Sequence, residues 1–196
     1  MFNKFILSLI LFCSSLTLLA YDSDDSFSNS MTFAIKAGAG LSTLIYDIES
    51  AEVEPIFSYK VGGSVTYLFS PEFAIQPELL FSAKGANNKN IHISTHLNYL
   101  EVPILFKYVF EQNNVYIGPY IGVNLSAKGK NDLIDAVGDL TNISTIDFGI
   151  SAGYERFFTK NISADIRINY GLTSIEDIGN HSTTNLTLLL GVGYYF

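Results

Sequence analysis

Ten charged side chains lie inside otherwise apolar segments of this chain, and they are the residues whose types and spacing could do chemistry. Five are cationic and five are anionic, and within each segment they fall on one parity while bulky apolar residues fall on the other. If the charged face is enclosed, such a set could carry ions or protons. Because isolated buried charges are expensive, the equal numbers instead favour pairing across neighbouring strands. The ten residues are Lys36, Lys60, Glu78, Lys84, Glu101, Lys107, Asp147, Glu155, Asp165 and Arg167.

Catalytic and metal-binding patterns find little support. His92 and His96 have the i, i+4 spacing that joins two metal ligands on a helix, but an extended segment separates them by about 13 Å. Asp177 and His181 are the only sequence neighbours that resemble the acid–base pair of a hydrolase. Acidic loop residues could bridge divalent ions, although such carboxylates are more often only solvated. We therefore predict no catalytic, cofactor-binding or metal site. The acidic loop residues are Asp47, Glu49, Glu52, Glu54, Asp132, Asp135, Asp139, Glu176 and Asp177.

The composition bounds the class of protein. The chain has 196 residues, of which 48% are hydrophobic and only 15% are charged, and its formal net charge is −8. A chain of this length supplies one domain of ordinary size. The excess of carboxylates disfavours nucleic acid as a partner, because phosphate contacts require Lys and Arg. The 15 Gly, 12 Tyr and 15 Phe favour an all-β protein, since aromatic residues suit pleated sheets and Gly suits turns and crowded interiors.

The amino terminus predicts a secreted protein. Lys4 precedes a long apolar run that ends at the small residue Ala20, and this order is typical of a secretory signal peptide. At about fifteen residues the run is short for a membrane-spanning helix. We predict a signal peptide over residues 1–20, a disordered, acidic lead-in over residues 21–30, and one domain over residues 31–196. Removal of the signal would take away the only Cys and change the net charge from −8 to −9.

Eight segments show the period-two alternation of β-strands. The connections between them are alternately long and short, as in transmembrane barrels with short turns at one rim and longer loops at the other. Pro77, Pro103 and Pro119 lie within predicted strands, and we expect bulges or locally broken pairing to accommodate them. The predicted strands are 32–41, 56–69, 73–86, 94–110, 115–128, 143–157, 161–173 and 183–196. The tight connections are 69–72, 111–114 and 158–161, and the longer ones are 42–55, 87–93, 129–142 and 174–182.

Residue size predicts which face of the strands lies inside. The parity that carries the charges also carries most of the Gly, whereas the other parity carries bulky apolar residues. A soluble barrel would turn the apolar set inward, but the small interior of an eight-stranded barrel favours the small and polar set there. The last strand ends on an apolar face, and its aromatics Tyr194 and Phe196 resemble the signal that barrel-assembly machinery reads. We predict an all-β fold, an eight-stranded antiparallel up-and-down transmembrane β-barrel.

Several runs of the chain resemble one known family. The run Tyr99-Leu-Glu-Val-Pro-Ile-Leu-Phe-Lys-Tyr108 is the most specific of them. Over about residues 30–196 the chain is similar to the PorT-type family of outer-membrane β-barrel domains. The resemblance implies an eight-stranded, porin-like barrel and an outer-membrane location, and it carries no reaction with it. The founding member of that family is linked to a secretion apparatus. The other runs are Gln76–Ala86, Tyr116–Tyr120, Asp147–Gly153 and Asn169–Thr173.

The expected function is that of a non-enzymatic, integral protein of the cell outer membrane with both termini in the periplasm. Its surface loops would serve adhesion, envelope integrity or the binding of an envelope or surface protein partner. Lipid would surround the barrel, and the barrel-assembly machinery would act on it during biogenesis. The balanced charges predict a plugged barrel, since eight strands leave space for side chains but not for a wide pore. The alternatives are a narrow porin-like channel for small solutes, a component of a secretion apparatus, an outer-membrane enzyme and a soluble ligand-carrying barrel.

Overall fold

A computed structural model of the chain describes residues 30–46, 53–90, 92–131, 136–140, 143–175 and 183–196. Within them the chain forms nine β-strands. These are β1 (Ser30–Tyr46), β2 (Val53–Leu68), β3 (Phe73–Asn88), β4 (Ile93–Phe110), β5 (Asn113–Asn131), β6 (Ala136–Asp139), β7 (Ile146–Phe157), β8 (Ile162–Gly171) and β9 (Thr183–Tyr195). The predicted signal peptide and the lead-in up to residue 29 lie outside the described residues.

Eight of these strands close into a barrel. Each pairs antiparallel with its neighbours in the order β1, β2, β3, β4, β5, β7, β8, β9. The first and last strands of the ring meet along a register that runs from Ala34 opposite Tyr195 to Tyr46 opposite Thr183. The predicted eight-stranded antiparallel barrel is confirmed. Because the ring is closed, its strands present no free edge and their backbone groups pair within the protein.

The short and the long connections between strands lie at opposite rims of the barrel. We term the end with the short links at residues 69–72, 111–112 and 158–161 the turn rim, and the other end the loop rim. Strands β1 to β5 extend further at the loop rim than alternation predicts, whereas β7 and β8 are shorter there than the predicted 143–157 and 161–173. β1 extends to Tyr46, into the predicted connection 42–55, because its end stays paired with β9 through residue 46. Pairing with a neighbour thus prolongs a strand after its own pattern has weakened.

The sequence does not predict β6, which lies within the expected loop 129–142. β6 pairs with Lys128–Asn131 at the loop-rim end of β5, and all four of its residues are exposed. Its four residues, Ala-Val-Gly-Asp, are too few to show alternation. Its position outside the ring means that the sheet extends past the barrel at this rim.

Broken pairing, and not a bulge, accommodates Pro77 and Pro103, whereas a register shift in β2 directly follows Pro55. The β3–β4 and β4–β5 ladders each lose residue pairs beside Pro77 and Pro103 but keep their register. A proline has no backbone N–H, so it removes one bond of the ladder without inserting a residue. Pro119 stays within a continuous β5–β7 ladder. The described shifts of register lie elsewhere, within β2 and at Asn98 in β4.

Bulky apolar side chains cover the outside of the ring. On β9, Leu188, Leu190 and Val192 are about half exposed or more, whereas the intervening Leu189 is buried. Aromatic rings gather at the turn rim, where Phe69 stacks on Phe73 with ring centroids 6.5 Å apart. The sequence predicts an aromatic girdle at this rim from Tyr67, Phe69, Phe110, Tyr194 and Phe196. The last four are exposed, and Tyr67 is partly exposed. The described residues therefore place the apolar parity outside and the charged parity inside.

Candidate functional site

All ten charged residues predicted from strand parity lie inside the barrel, where each is 5% exposed or less. Ion pairs within 4 Å divide them into two groups in the described part of the chain. We term these groups the turn-side cluster and the loop-side cluster. The turn-side cluster consists of Lys36, Lys60, Glu78, Lys107, Glu155, Asp165 and Arg167. The loop-side cluster consists of Lys84, Glu101 and Asp147.

Glu155 on β7 is the centre of the turn-side cluster. Its carboxylate accepts hydrogen bonds from Lys36 Nζ at 2.9 Å and from Lys107 Nζ at 2.5 Å. Neutral side chains also donate to it over 2.7–3.1 Å, namely those of Asn114, Ser163 and Tyr195. The donors lie on β1, β4, β5, β8 and β9. One side chain thus connects six of the eight strands of the ring.

Arg167 forms the second centre of the turn-side cluster. Its guanidinium donates two hydrogen bonds to Glu78, from Nη1 to Oε2 at 2.6 Å and from Nη2 to Oε1 at 2.9 Å. Its Nε donates to the Tyr116 hydroxyl at 3.1 Å, and that hydroxyl donates to Asp165 Oδ2 at 2.8 Å. Lys60 Nζ lies 3.5 Å from the same Asp165 oxygen. Bidentate, charge-assisted bonds of this kind are the strong ones in proteins, so this part of the lumen is held rigidly.

Lys84 is the centre of the loop-side cluster. Its Nζ lies 2.5 Å from Glu101 Oε1 and 3.4 Å from Asp147 Oδ2. The ammonium also lies 4.7 Å from the ring centroid of Tyr120 and 5.4 Å from that of Tyr99, within the range of a cation–π interaction. Asp147 Oδ2 accepts further hydrogen bonds from the Tyr120 hydroxyl at 3.2 Å and from Asn185 Nδ2 at 2.9 Å.

Two tyrosines reach the clusters because the residue opposite each of them is glycine. Tyr116 pairs with Gly153 across β5 and β7, and Tyr120 pairs with Gly149. A Cβ at either glycine would overlap the tyrosine ring. Each ring therefore occupies the space that a side chain would fill, and its hydroxyl extends to a carboxylate.

Sequence reasoning predicts the charges but misses the neutral groups that connect them. Tyr116, Tyr120 and Tyr195 share the charged parity, and so do Gln76 and Asn185. Gln76 Oε1 accepts a hydrogen bond from Lys107 Nζ at 2.6 Å. A tyrosine on the polar parity of a strand is the signal that could have identified Tyr116, Tyr120 and Tyr195. The glycine opposite Tyr116 or Tyr120 can be assigned only when the register between the strands is known.

The turn-rim mouth of the lumen is open. A cavity of about 540 Å³ enters the barrel there. Polar side chains line much of it, and Tyr195 lies at its inner end, where its hydroxyl bonds to Glu155. Lining residues include Thr32, Thr66, Asn114, Phe157 and Tyr195. A small molecule entering from this side would meet the turn-side cluster.

Apolar side chains pack together inside the loop-rim end of the described barrel. A buried cluster at this end combines residues of β1, β3 and β4 with one residue that follows β8. Its members are Leu44, Ala86, Leu97, Tyr99 and Ile175, each 4% exposed or less. Val53, Ala127 and Ile143 pack against them. We term these five buried residues the apolar cap, because they lie between the loop-side cluster and the loop rim.

The other sequence candidates lie away from the charge clusters or outside the described residues. His92 lies in the turn before β4 and His96 is exposed within β4. Asp177 and His181 lie outside the described residues. In the part of the chain that the structure describes, no group of three or more His, Cys, Asp or Glu residues could hold a metal ion. Among the acidic loop residues, the exposed Glu54 forms a surface ion pair with Lys89.

The predicted assembly signal lies on the outer face of β9 at the turn rim. The rings of Tyr194 and Phe196 are 5.2 Å apart and meet edge to face. Their position is accessible from the lipid side, and their role in assembly stays a prediction.

The described residues contain no helix that is long and apolar enough to cross a membrane.

A closed ring with an apolar outside and a charged, ion-paired inside has the architecture of a transmembrane β-barrel. The family comparison agrees with that class. The model of the family described as outer membrane protein beta-barrel domain matches residues 21–177. The chain belongs to this family, and it is a protein of the outer membrane. No curated protein matches the chain.

Solved outer-membrane barrels have a similar fold. Neisserial surface protein A (NspA) is 13% identical, with a TM-score of 0.58 over 85% of this chain and 99% of its own. Ail of Yersinia pestis, in complex with the heparin analogue sucrose octasulfate, is 16% identical with a TM-score of 0.53 over 85% and 99%. A major outer membrane protein from Thermus thermophilus is 16% identical with a TM-score of 0.50 over 85% and 100%. At these identities the likeness extends to the fold.

Proposed function

We propose that this barrel is a non-enzymatic surface protein whose loop rim binds a protein partner. The observation that carries the proposal is the extension of the sheet beyond the ring. β5 continues to Asn131 and pairs with the exposed β6, and among the described strands β6 has only β5 as a neighbour. The open edge of a strand presents N–H and C=O groups that an extended segment of a partner can pair with.

The contents of the lumen support a surface role over transport. Two ion-paired clusters occupy the interior, and the apolar cap lies between them and the loop rim. An eight-stranded barrel leaves room for side chains but not for a wide aqueous path. A narrow porin-like channel would need these side chains to move aside.

The proposed orientation follows from the two rims. Short turns of outer-membrane barrels face the periplasm and longer loops face outward, so we place the turn rim and both termini on the periplasmic side.

The proposal that this barrel is of the PorT type rests on the run Tyr99–Tyr108. A role in a secretion apparatus would require a partner at the turn rim, where the cavity opens.

Charge indicates the chemistry of the partner. Asp139 is exposed in β6, and residues 128–139 carry three Asp against two Lys in the sequence. A segment with an excess of carboxylates disfavours polyanions. The structure of Ail holds a heparin analogue, sucrose octasulfate. For the present chain we propose instead a partner segment that is neutral or basic.

Photo-crosslinking in intact cells tests the proposal. A photoreactive amino acid replaces the exposed Val137 of β6, and a matched variant carries it at the exposed Val192 on the outside of β9. We expect a discrete protein adduct from position 137 and no protein adduct from position 192. Position 137 giving no protein adduct while the barrel is present at the surface would contradict the proposal.

A further inference from the structure

Several of the buried polar atoms without a hydrogen-bond partner lie at the loop-side cluster, while others, such as Lys60 Nζ, lie elsewhere in the lumen. Asp147 Oδ1 and Asn185 Oδ1 are among them, although the other side-chain oxygen or nitrogen of each residue is bonded. The Tyr99 hydroxyl lies beside the amides of Asn124 and Asn185 but makes no hydrogen bond. Asp147, Asn185 and Tyr99 are 1% exposed or less. Buried oxygens in a native structure normally have a partner, so these atoms point to a ligand.

The charges of the loop-side cluster do not balance. One ammonium, that of Lys84, faces two carboxylates, those of Glu101 and Asp147. The turn-side cluster has the opposite excess, since four cations there face three carboxylates. Among the described residues no ion pair within 4 Å joins the two clusters. The lumen as a whole carries five charges of each sign, but the surplus cation lies in the turn-side cluster. A buried charge without a close partner is expensive, so a positive charge beside the loop-side cluster would be stabilised there.

Two glycines flank the Asp147 carboxylate. Gly122 lies between Glu101 and Asp147 in the three-strand register of β4, β5 and β7. A Cβ at Gly171 would lie 3.2 Å from Asp147 Oδ1 and 3.1 Å from the backbone nitrogen of Asn185. Because residue 171 is a glycine, no side chain covers Oδ1 from that side, and the backbone of Asn185 lies beside the same position.

We propose that the loop-side cluster binds one monovalent cation, such as Na⁺, with Asp147 Oδ1 and Asn185 Oδ1 as ligands. A single charge matches the deficit, and carboxylate and amide oxygens suit hard cations. A divalent or transition metal fits less well, because the described residues offer no third carboxylate, His or Cys here. The Tyr99 hydroxyl is the third oxygen on this side of the cluster. The cation would link β7, β9 and β4 beneath the apolar cap.

Anomalous diffraction tests the site directly. Crystals of the protein purified from the outer membrane are grown with thallium(I) acetate in place of sodium acetate, since Tl⁺ replaces monovalent cations and scatters anomalously. We expect one anomalous peak beside Asp147 Oδ1 and Asn185 Oδ1. An Asp147 Oδ1 that contacts only water, with no peak in its neighbourhood, would overturn the proposal.

Two variants and one control show whether the anomalous peak depends on the proposed ligands or comes from adventitious binding of Tl⁺. Asp147→Asn removes the charged ligand, and Gly171→Ala fills the space beside Oδ1 while keeping all charges. We expect both to lose the peak, whereas Asp139→Asn on the exposed β6 keeps it. A peak that persists in Asp147→Asn would refute the assigned ligands.

A solution measurement covers the case in which crystals of a variant are not obtained. The melting temperature of the folded barrel is compared in sodium chloride and in choline chloride at equal ionic strength. We expect a higher value in sodium chloride, by about 2–4 °C, for the unchanged chain and no difference for Asp147→Asn. Equal melting temperatures of the unchanged chain in both salts would contradict the proposal. This inference is independent of partner binding at β6.

Discussion

The two charge clusters occupy the same lumen, yet their buried carboxylates differ in the hydrogen bonds that they accept. In the turn-side cluster Glu155 accepts hydrogen bonds from five side chains, and Glu78 accepts from Arg167 and Gln76. In the loop-side cluster Asp147 Oδ2 has three hydrogen-bonding partners, whereas Asp147 Oδ1 has none. The unbonded atom of the turn-side cluster is a cation, Lys60 Nζ, and those of the loop-side cluster are carboxylate oxygens.

The sign of the excess charge makes the comparison testable. The turn-side cluster has one surplus cation and the loop-side cluster one surplus carboxylate. Neutralising a carboxylate therefore increases the surplus of positive charge in the turn-side cluster, whereas it removes the surplus of negative charge in the loop-side cluster. The same chemical change is expected to have unequal effects at the two ends of the barrel.

Glu155→Gln is expected to have the largest effect. The substitution keeps the shape of the side chain but leaves Lys36 and Lys107 without their main acceptor. Breaking a buried ion pair by removing one partner costs about 3–5 kcal/mol. Urea unfolding of the refolded barrel, followed by its heat-modifiable gel migration, measures the loss. Glu111→Gln, at an exposed turn residue, is the control, and equal losses in the two variants would contradict the role of Glu155.

Gly149→Ala is expected to come second. An added Cβ would overlap both the Tyr120 ring and the backbone carbonyl oxygen of Tyr170, so the ring would have to leave Lys84 and Asp147 and β8 would have to shift. Overpacking of this kind typically costs about 1–3 kcal/mol. Gly138→Ala is the matched control, because a Cβ there meets nothing within 4 Å. The same unfolding assay should show loss only at position 149, and tolerance of alanine there would show that the ring is not confined.

Asp147→Asn tests the comparison most sharply, because it should cost less than Glu155→Gln although both residues are fully buried. It leaves Lys84 paired with Glu101 in a neutral cluster. We expect a loss of about 1 kcal/mol, the size of one hydrogen bond, in the urea assay. A loss as large as that of Glu155→Gln would mean that the two clusters respond alike.

Glu54→Gln should have the smallest effect. Its ion pair with Lys89 lies at the surface, where both side chains are about half exposed, 50% and 52%. Exposed pairs contribute about 0–1 kcal/mol, so the urea midpoint should barely move. A loss comparable to that at Asp147 would indicate that this loop-rim contact stabilises the barrel.

Strand parity was sufficient to predict the barrel and the inward direction of the ten charges, because a period of two is a property of the backbone itself. It was not sufficient to predict partners. Lys36 and Glu155 are 119 positions apart, and their contact depends on which strands face each other across the lumen. The glycines beneath Tyr116 and Tyr120 become informative only with the register of β5 and β7. The short strand β6 carries no alternation and owes its existence to pairing with β5.

Single-channel recording in planar bilayers tests the central claim that the lumen is filled. Purified, refolded protein is inserted into the bilayer, and a general porin serves as the positive control. The paired clusters and the apolar cap predict no steady conductance steps from the unchanged chain. Reproducible ion-conducting steps from the folded, heat-modifiable form would contradict the account and favour the narrow channel.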